Sequence, residues 1–242
     1  MSHIHRKKWG QNFLIDDNIA KKIVDLLNIK VDDLILEIGP GKGSLTKHII
    51  KKTKNIHLVE IDPRLSDELS VKMNYANISN VDILKYNISS LKNFKVIGNI
   101  PYNITTPIIF KFLDSKQWSK MILMTQREVA NRIIAKPNSK TYGRLSVMCQ
   151  AFANVKIEFN VSKNVFYPKP KVDSSIIKFR PNKVLIPDVD KFSSVVKYAF
   201  SQRRKKIKNN LNNMIPKENY AQYADKRAEE LSVSDFIKIS SN

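Results

Sequence analysis

The apolar run Leu34-Ile35-Leu36-Glu37-Ile38 stops abruptly at Gly39-Pro40-Gly41-Lys42-Gly43, and apolar residues then return at helical spacing as Leu45, Ile49 and Ile50. A short buried strand, a glycine turn and a helix, in that order, commit a chain to few architectures. The pattern then repeats. Ile56 to Ile61 is a second strand, ended by Asp62-Pro63 and followed by a helix through Leu65 and Leu69. Further strands are predicted near Val81 to Leu84, at Phe94 to Ile97 and at Met121 to Met124. Helices are predicted over 16–28, from Thr106-Pro107 onward and from Glu128 to Ile134. Strands alternating with helices predict an α/β fold, a parallel and doubly wound Rossmann-like sheet whose ligands sit at the carboxyl ends of its strands.

After Pro181 the periodicity becomes purely helical. Phe192, Val195, Val196, Ala199, Phe200, Ile207, Leu211 and Met214 form one amphipathic stripe, with Arg203-Arg204-Lys205-Lys206 and Lys208 on its other face. A domain over 1–180 and a small, basic helical domain over 181–242 are therefore expected. With 42 Lys and Arg against 22 Asp and Glu, the formal charge of +20 makes a polyanion the default partner. A second cluster, His5-Arg6-Lys7-Lys8, stands near the other end and favours RNA binding. The rival is a solvated, lysine-rich surface, because 33 lysines against 9 arginines, with 23 asparagines, also fit a bias in genome composition.

The single cysteine, Cys149, excludes an internal disulfide and fits a reducing, cytoplasmic setting in which it is a small core residue. No apolar run approaches the roughly 20 residues that cross a bilayer. His3, His5, His48 and His57 lack metal-ligand spacing and read as surface or packing residues, and a monomer is expected.

Two signals carry chemistry. In the first, glycines let backbone approach a ligand closely where a helix start offers free N–H groups. Glu60 follows Gly39 by 21 residues, and an acid about 20 residues after such a turn grips ribose hydroxyls. A dinucleotide enzyme shares that pair, although G-P-G-K-G is not G-x-G-x-x-G. The second signal is Asn99-Ile100-Pro101-Tyr102, which closes the run Val96-Ile97-Gly98. An exocyclic amine is a poor nucleophile while its lone pair is delocalised. Two acceptors, the Asn99 side-chain oxygen and a backbone carbonyl at Ile100 or Pro101, can draw its hydrogens out of plane. Tyr102 supplies a face on which a flipped-out base stacks, worth about 1 to 3 kcal/mol. Alone, the tetrapeptide reads equally well as a strand-ending turn. Together, a ribose clamp and an amine-holding turn point to an adenosyl cofactor carrying a methyl sulfonium, S-adenosyl-L-methionine.

These segments, with Gln11-Asn12-Phe13-Leu14, Glu60-Ile61-Asp62, Asn103-Ile104 and the run from Phe166-Tyr167-Pro168 to Val172-Asp173-Ser174, resemble in order and spacing the rRNA adenine N6-dimethyltransferases. The resemblance covers roughly residues 6–180. Glu128-Val129-Ala130-Asn131-Arg132, Pro137-Asn138-Ser139-Lys140 and the segment from Tyr142 to Val147 are similar to the KsgA branch. Its members dimethylate two adjacent adenines in the 3′-terminal hairpin of small-subunit rRNA. The resemblance implies a class I S-adenosyl-L-methionine-dependent methyltransferase acting on a precursor small ribosomal subunit. It further implies cofactor contacts from Asn12, Leu14, Gly39, Gly41, Glu60 and Asn99, and a catalytic set of Asn99, Pro101, Tyr102 and Phe166, with Phe166 closing on the base opposite Tyr102.

One position departs from the family pattern. An Asp at the end of the fourth strand usually accepts from the cofactor's adenine amine, and here it is matched to Asn87, with Asp82 as the alternative acceptor. An amide lacks the charge assistance that makes such bonds roughly twice as strong, so weaker cofactor binding is expected. Two other functions remain open. One is methylation of large-subunit rRNA, of the macrolide-resistance type, which shares the Asn99 turn. The other is a largely non-catalytic RNA-binding assembly factor. A mitochondrial relative is disfavoured, because Asn12 stands so near Met1 that a presequence has no room.

Overall fold

The computed structural model describes residues 11–115 and 117–241, so His3 and the His5-Arg6-Lys7-Lys8 cluster lie outside the described residues. In chain order the elements are β1 (Phe13–Leu14), α1 (Asp17–Asp25), β2 (Ile35–Ile38), α2 (Thr46–Ile49), β3 (Ile56–Glu60), α3 (Pro63–Lys72), β4 (Asn77–Asn80), β5 (Phe94–Asn99), α4 (Thr105–Ser115), β6 (Trp118–Gln126) and α5 (Arg127–Ile133). They continue as α6 (Arg144–Phe152), β7 (Ala153–Val161), β8 (Phe166–Tyr167), β9 (Ser174–Pro181), α7 (Val189–Ala199), α8 (Ile207–Leu211), α9 (Lys217–Tyr220) and α10 (Val233–Ser241). No helix among the described residues is long and apolar enough to cross a membrane.

The chain gathers into two compact units, Met1–Ala130 with Lys156–Pro181, and Asn131–Val155 with Asn182–Asn242. The expected boundary after residue 180 falls one residue from the last of three crossings, between Pro181 and Asn182. Residues 131–155, expected with the sheet, belong instead to the helical unit. There Tyr142 Oη donates to Leu231 O at 2.9 Å, and Gln150 Nε2 donates to Ile133 O and Ala135 O at 2.9 and 2.8 Å. Cys149 is buried in α6.

The first unit is built on a seven-stranded sheet in the order β4-β3-β2-β5-β6-β9-β7. Its first five strands are parallel, and β2 lies between β3 and β5 with all four residues buried. Coverage on both faces explains why β2 is a continuous apolar run rather than an alternating one. Asp62 accepts from Arg64 N at 3.1 Å and, with Pro63 behind it, starts α3. The apolar core includes Leu27, Ile35, Leu58, Ile97, Ile122 and Ile176.

Three features differ from expectation. Two strands, β9 and β7, extend the sheet beyond the predicted set, and β9 runs antiparallel to β6, so the sheet is mixed. Strand β4 lies at Asn77–Asn80 rather than near Val81 to Leu84. It is an edge strand whose residues other than Ile78 are polar and whose two ends are exposed, so it has little apolar signature, while the apolar Ile83 is buried in the loop that follows. Last, the predicted stripe of the helical unit is broken between α7 and α8. Phe192, Val195, Val196, Ala199, Ile207 and Leu211 are buried as expected, but the basic cluster forms the exposed turn joining two helices instead of one helix face.

Candidate active site

A cleft opens in the first unit at the carboxyl ends of β2, β3 and β5, with residues 11–14, 37–41, 59–61, 81–83 and 99–102 in its lining. Its floor is the turn after β2. Gly39 and Gly41 take positive φ, at 62° and 58°, a region open to glycine at no steric cost. The resulting path aims Gly41 N at Glu60 Oε2, 3.0 Å away, while Glu60 Oε1 accepts from Asp62 N at 2.9 Å. Burial raises the Glu60 carboxyl above its ordinary value, and these two backbone bonds oppose that shift. Each carboxylate oxygen retains capacity for a further donor.

Beside Glu60 stands a residue not assigned a role from sequence. Glu37 is buried within β2 and lines the cleft, and its Oε2 has no hydrogen-bond partner among the described residues. Burial pushes its carboxyl up to about 8, with the neighbouring Glu60 charge adding to the shift. Its sequence signal was visible: one carboxylate inside an otherwise apolar strand.

The Asn99 turn forms the opposite wall. Asn99 Nδ2 donates to Asn12 O at 2.8 Å, across 87 residues of chain. That bond fixes the amide, leaving Oδ1 as an acceptor that no described residue engages. Of the two turn carbonyls, Pro101 O already accepts from Ile104 N at 3.2 Å and Thr105 Oγ1 at 3.3 Å as the helix begins. Both its lone pairs are occupied, so Ile100 O is the better-placed acceptor of the pair considered from sequence. Tyr102 lines the cleft, and its Oη lies 2.7 Å from Ser174 Oγ. Burial raises the Tyr102 hydroxyl above its ordinary value and keeps it protonated at neutral pH.

Asn12, Leu14, Gly39, Gly41, Glu60, Asn99, Pro101 and Tyr102 are thus brought to one cleft, whereas two expected residues are not. Asn87 is exposed, and its Oδ1 accepts from Ser89 N and Ser89 Oγ at 2.9 and 2.7 Å. Asp82 lines the cleft instead, with Oδ1 accepting from Leu84 N at 2.9 Å. The correction follows from the strand. Because β4 ends at Asn80, the first acid beyond its carboxyl end is Asp82, and a strand expected to reach Leu84 had shifted that position to Asn87. Phe166 is the second correction. It is 3% exposed, pairs in register with Leu14 across β1 and β8, and belongs to the apolar core rather than to the cleft wall.

"Ribosomal RNA small subunit methyltransferase A" of Francisella tularensis subsp. novicida is 42% identical over 251 residues, covering 97% of this chain and 96% of that protein. A dimethyladenosine transferase from Plasmodium falciparum superposes with a TM-score of 0.83 at 26% identity, over 94% of this chain and 95% of that one. The 23S rRNA methyltransferase ErmE shares the fold, with a TM-score of 0.73 at 24% identity over 95% and 98% of the two chains. The family described as ribosomal RNA adenine dimethylase matches residues 2–241, and with that span and those relatives this chain belongs to it.

Proposed function

We propose that the protein transfers methyl groups from S-adenosyl-L-methionine to the N6 amines of two adjacent adenines in the 3′-terminal hairpin of small-subunit rRNA. It acts as a monomer on a precursor subunit in the cytoplasm. The observation that carries this reading is Asn99, whose amide is turned by its bond to Asn12 so that an acceptor oxygen is left for a substrate amine. The cleft fits the cofactor chemically. Glu60 suits ribose hydroxyls, Asp82 suits an adenine amine, and Glu37 Oε2, which has no hydrogen-bond partner among the described residues, offers an acceptor to a cationic amino-acid end. Bound there, the cofactor supplies an electrophilic methyl group on its sulfonium.

The protein's share of the reaction is positioning and electrostatics. Asn99 Oδ1 and Ile100 O accept the two N–H bonds of adenine N6, which draws the nitrogen toward a tetrahedral shape and frees its lone pair for direct attack. Tyr102 stacks on the base. The alkylated amine then loses a proton to water, and a second cycle gives dimethyladenine. In the helical unit the turn at 201–206 contacts phosphates. Arg203 is paired with Glu229, and Lys206 and Lys208 share Asp225, so Arg204 and Lys205 are the cations of that cluster without an ion pair among the described residues.

Incubation with radiolabelled S-adenosyl-L-methionine and immature small subunits from a methylation-deficient cell tests the proposal. Label is expected in dimethyladenine of the small-subunit RNA. RNA binding without label, or label in large-subunit rRNA, would overturn it.

A further inference from the structure

Tyr102 is held at both ends. Its backbone opens the 3-10 turn Tyr102–Ile104 directly after the Asn99 turn, and its hydroxyl reaches Ser174 Oγ, 2.7 Å away and 72 residues later in the chain. Ser174 is fully buried at 0% exposure, which is unusual for a serine whose hydroxyl meets another side chain instead of backbone. Its own mounting is rigid. Ser174 is the first residue of β9 and pairs in register with Gln126 of β6, while the preceding Asp173 accepts from Arg127 N at 3.1 Å through its carbonyl and from Lys163 N at 3.0 Å through Oδ1. The ring therefore spans from the end of β5 to the start of β9, two strands separated in the sheet by β6.

From this we infer that Ser174 is a positioning residue for methyl transfer, acting through Tyr102 on the plane against which the target base stacks. The inference rests on the proposed function and deepens it. Anchoring Cβ and Oη fixes the long axis of the ring, so the stacked base meets the Asn99 acceptors at one height above the turn. Without the hydroxyl bond the axis swings, and a misplacement of about 1 Å at a reacting centre costs on the order of a hundredfold in rate. Supporting groups of this kind set the precision of a site without touching its reactants. The effect belongs in kcat, because the cofactor's acceptors lie on other elements.

The test is a double-mutant cycle of Ser174→Ala and Tyr102→Phe, each removing one hydroxyl and leaving the aromatic ring in place. Each single variant is expected to lower kcat about ten- to a hundredfold, with cofactor Kd unchanged within about twofold, and the double variant to fall no further than either single. Losses that multiply in the double variant, or a kcat unchanged in either single, would overturn the assignment. So would a matching fall in cofactor affinity, which signals general loosening of the fold. A readout independent of turnover separates this claim from the proposed reaction. 3-Fluorotyrosine placed at position 102 should give one 19F environment in the parent and a shifted, averaged line in Ser174→Ala. An identical line in both overturns the positioning role, whether or not the parent protein transfers methyl groups.

Discussion

At Asn99 the two ends of one side chain differ: Nδ2 binds Asn12 O, and no described residue engages Oδ1, the acceptor proposed for the substrate amine. Replacing it by alanine removes an acceptor from the transition state, and by analogy with loss of one oxyanion-hole donor it should cost on the order of 10²- to 10³-fold in kcat. Single-turnover methylation checks this. The cofactor side gives a paired prediction. Asp82→Ala should weaken S-adenosyl-L-methionine binding by roughly tenfold, the loss of one charge-assisted hydrogen bond, whereas Asn87→Asp should leave it unchanged because Asn87 is occupied with Ser89 away from the cleft. Calorimetric titration of both variants separates the two positions. Glu37 predicts a pH dependence. Its carboxyl, ordinarily near 4.5, is held up to about 8 in the fold, so its contribution to stability is full below about pH 4.5 and is lost as pH rises through about 8. Over that window Glu37→Gln should flatten the decline by roughly 1 kcal/mol per pH unit, read from denaturant midpoints without added ligand.

Among the elements, β2 and β5 set the cleft because they adjoin in the sheet and end side by side, at the glycine turn and the Asn99 turn. Gly98 makes their close approach compatible with the turn: a Cβ there would stand 2.8 Å from Ile38 O, a backbone atom that cannot rotate away. Gly98→Ala should therefore destabilise the sheet unit by about 1 to 3 kcal/mol, visible as a lower melting temperature before any assay of activity. The central strands were legible because burial on both faces writes itself as an apolar run. Strand β4 was not, since an edge strand can be polar, and its misplacement by four residues carried the proposed cofactor acceptor from Asp82 to Asn87. The alternation of Val155, Ile157, Phe159 and Val161 in β7 was present in the sequence, yet nothing local says that this segment and β9 join a sheet begun far earlier in the chain, at Ile35.

For the whole molecule the governing quantity is charge. A formal +20 with an exposed basic turn at 201–206 predicts RNA affinity that falls about a thousandfold or more between 50 and 200 mM salt, as expected for about six phosphate contacts. Filter binding across that range checks it, and a flat response would remove phosphate contact from the proposal. Local patterning in the sequence by itself determined the strand-turn-helix order, the 21-residue spacing of Gly39 and Glu60, the Asn99 turn and the helical character after Pro181. Each of these is set by neighbours within a few residues or by a fixed offset along one βαβ unit. Only the tertiary structure decided that Asp82 and not Asn87 reaches the cleft, that Phe166 packs into the core beside Leu14, that Pro101 O is occupied while no described residue engages Ile100 O, and that Ser174 meets Tyr102. Those outcomes depend on which distant segments the sheet order places side by side, and no periodicity in the chain records a contact across 72 residues.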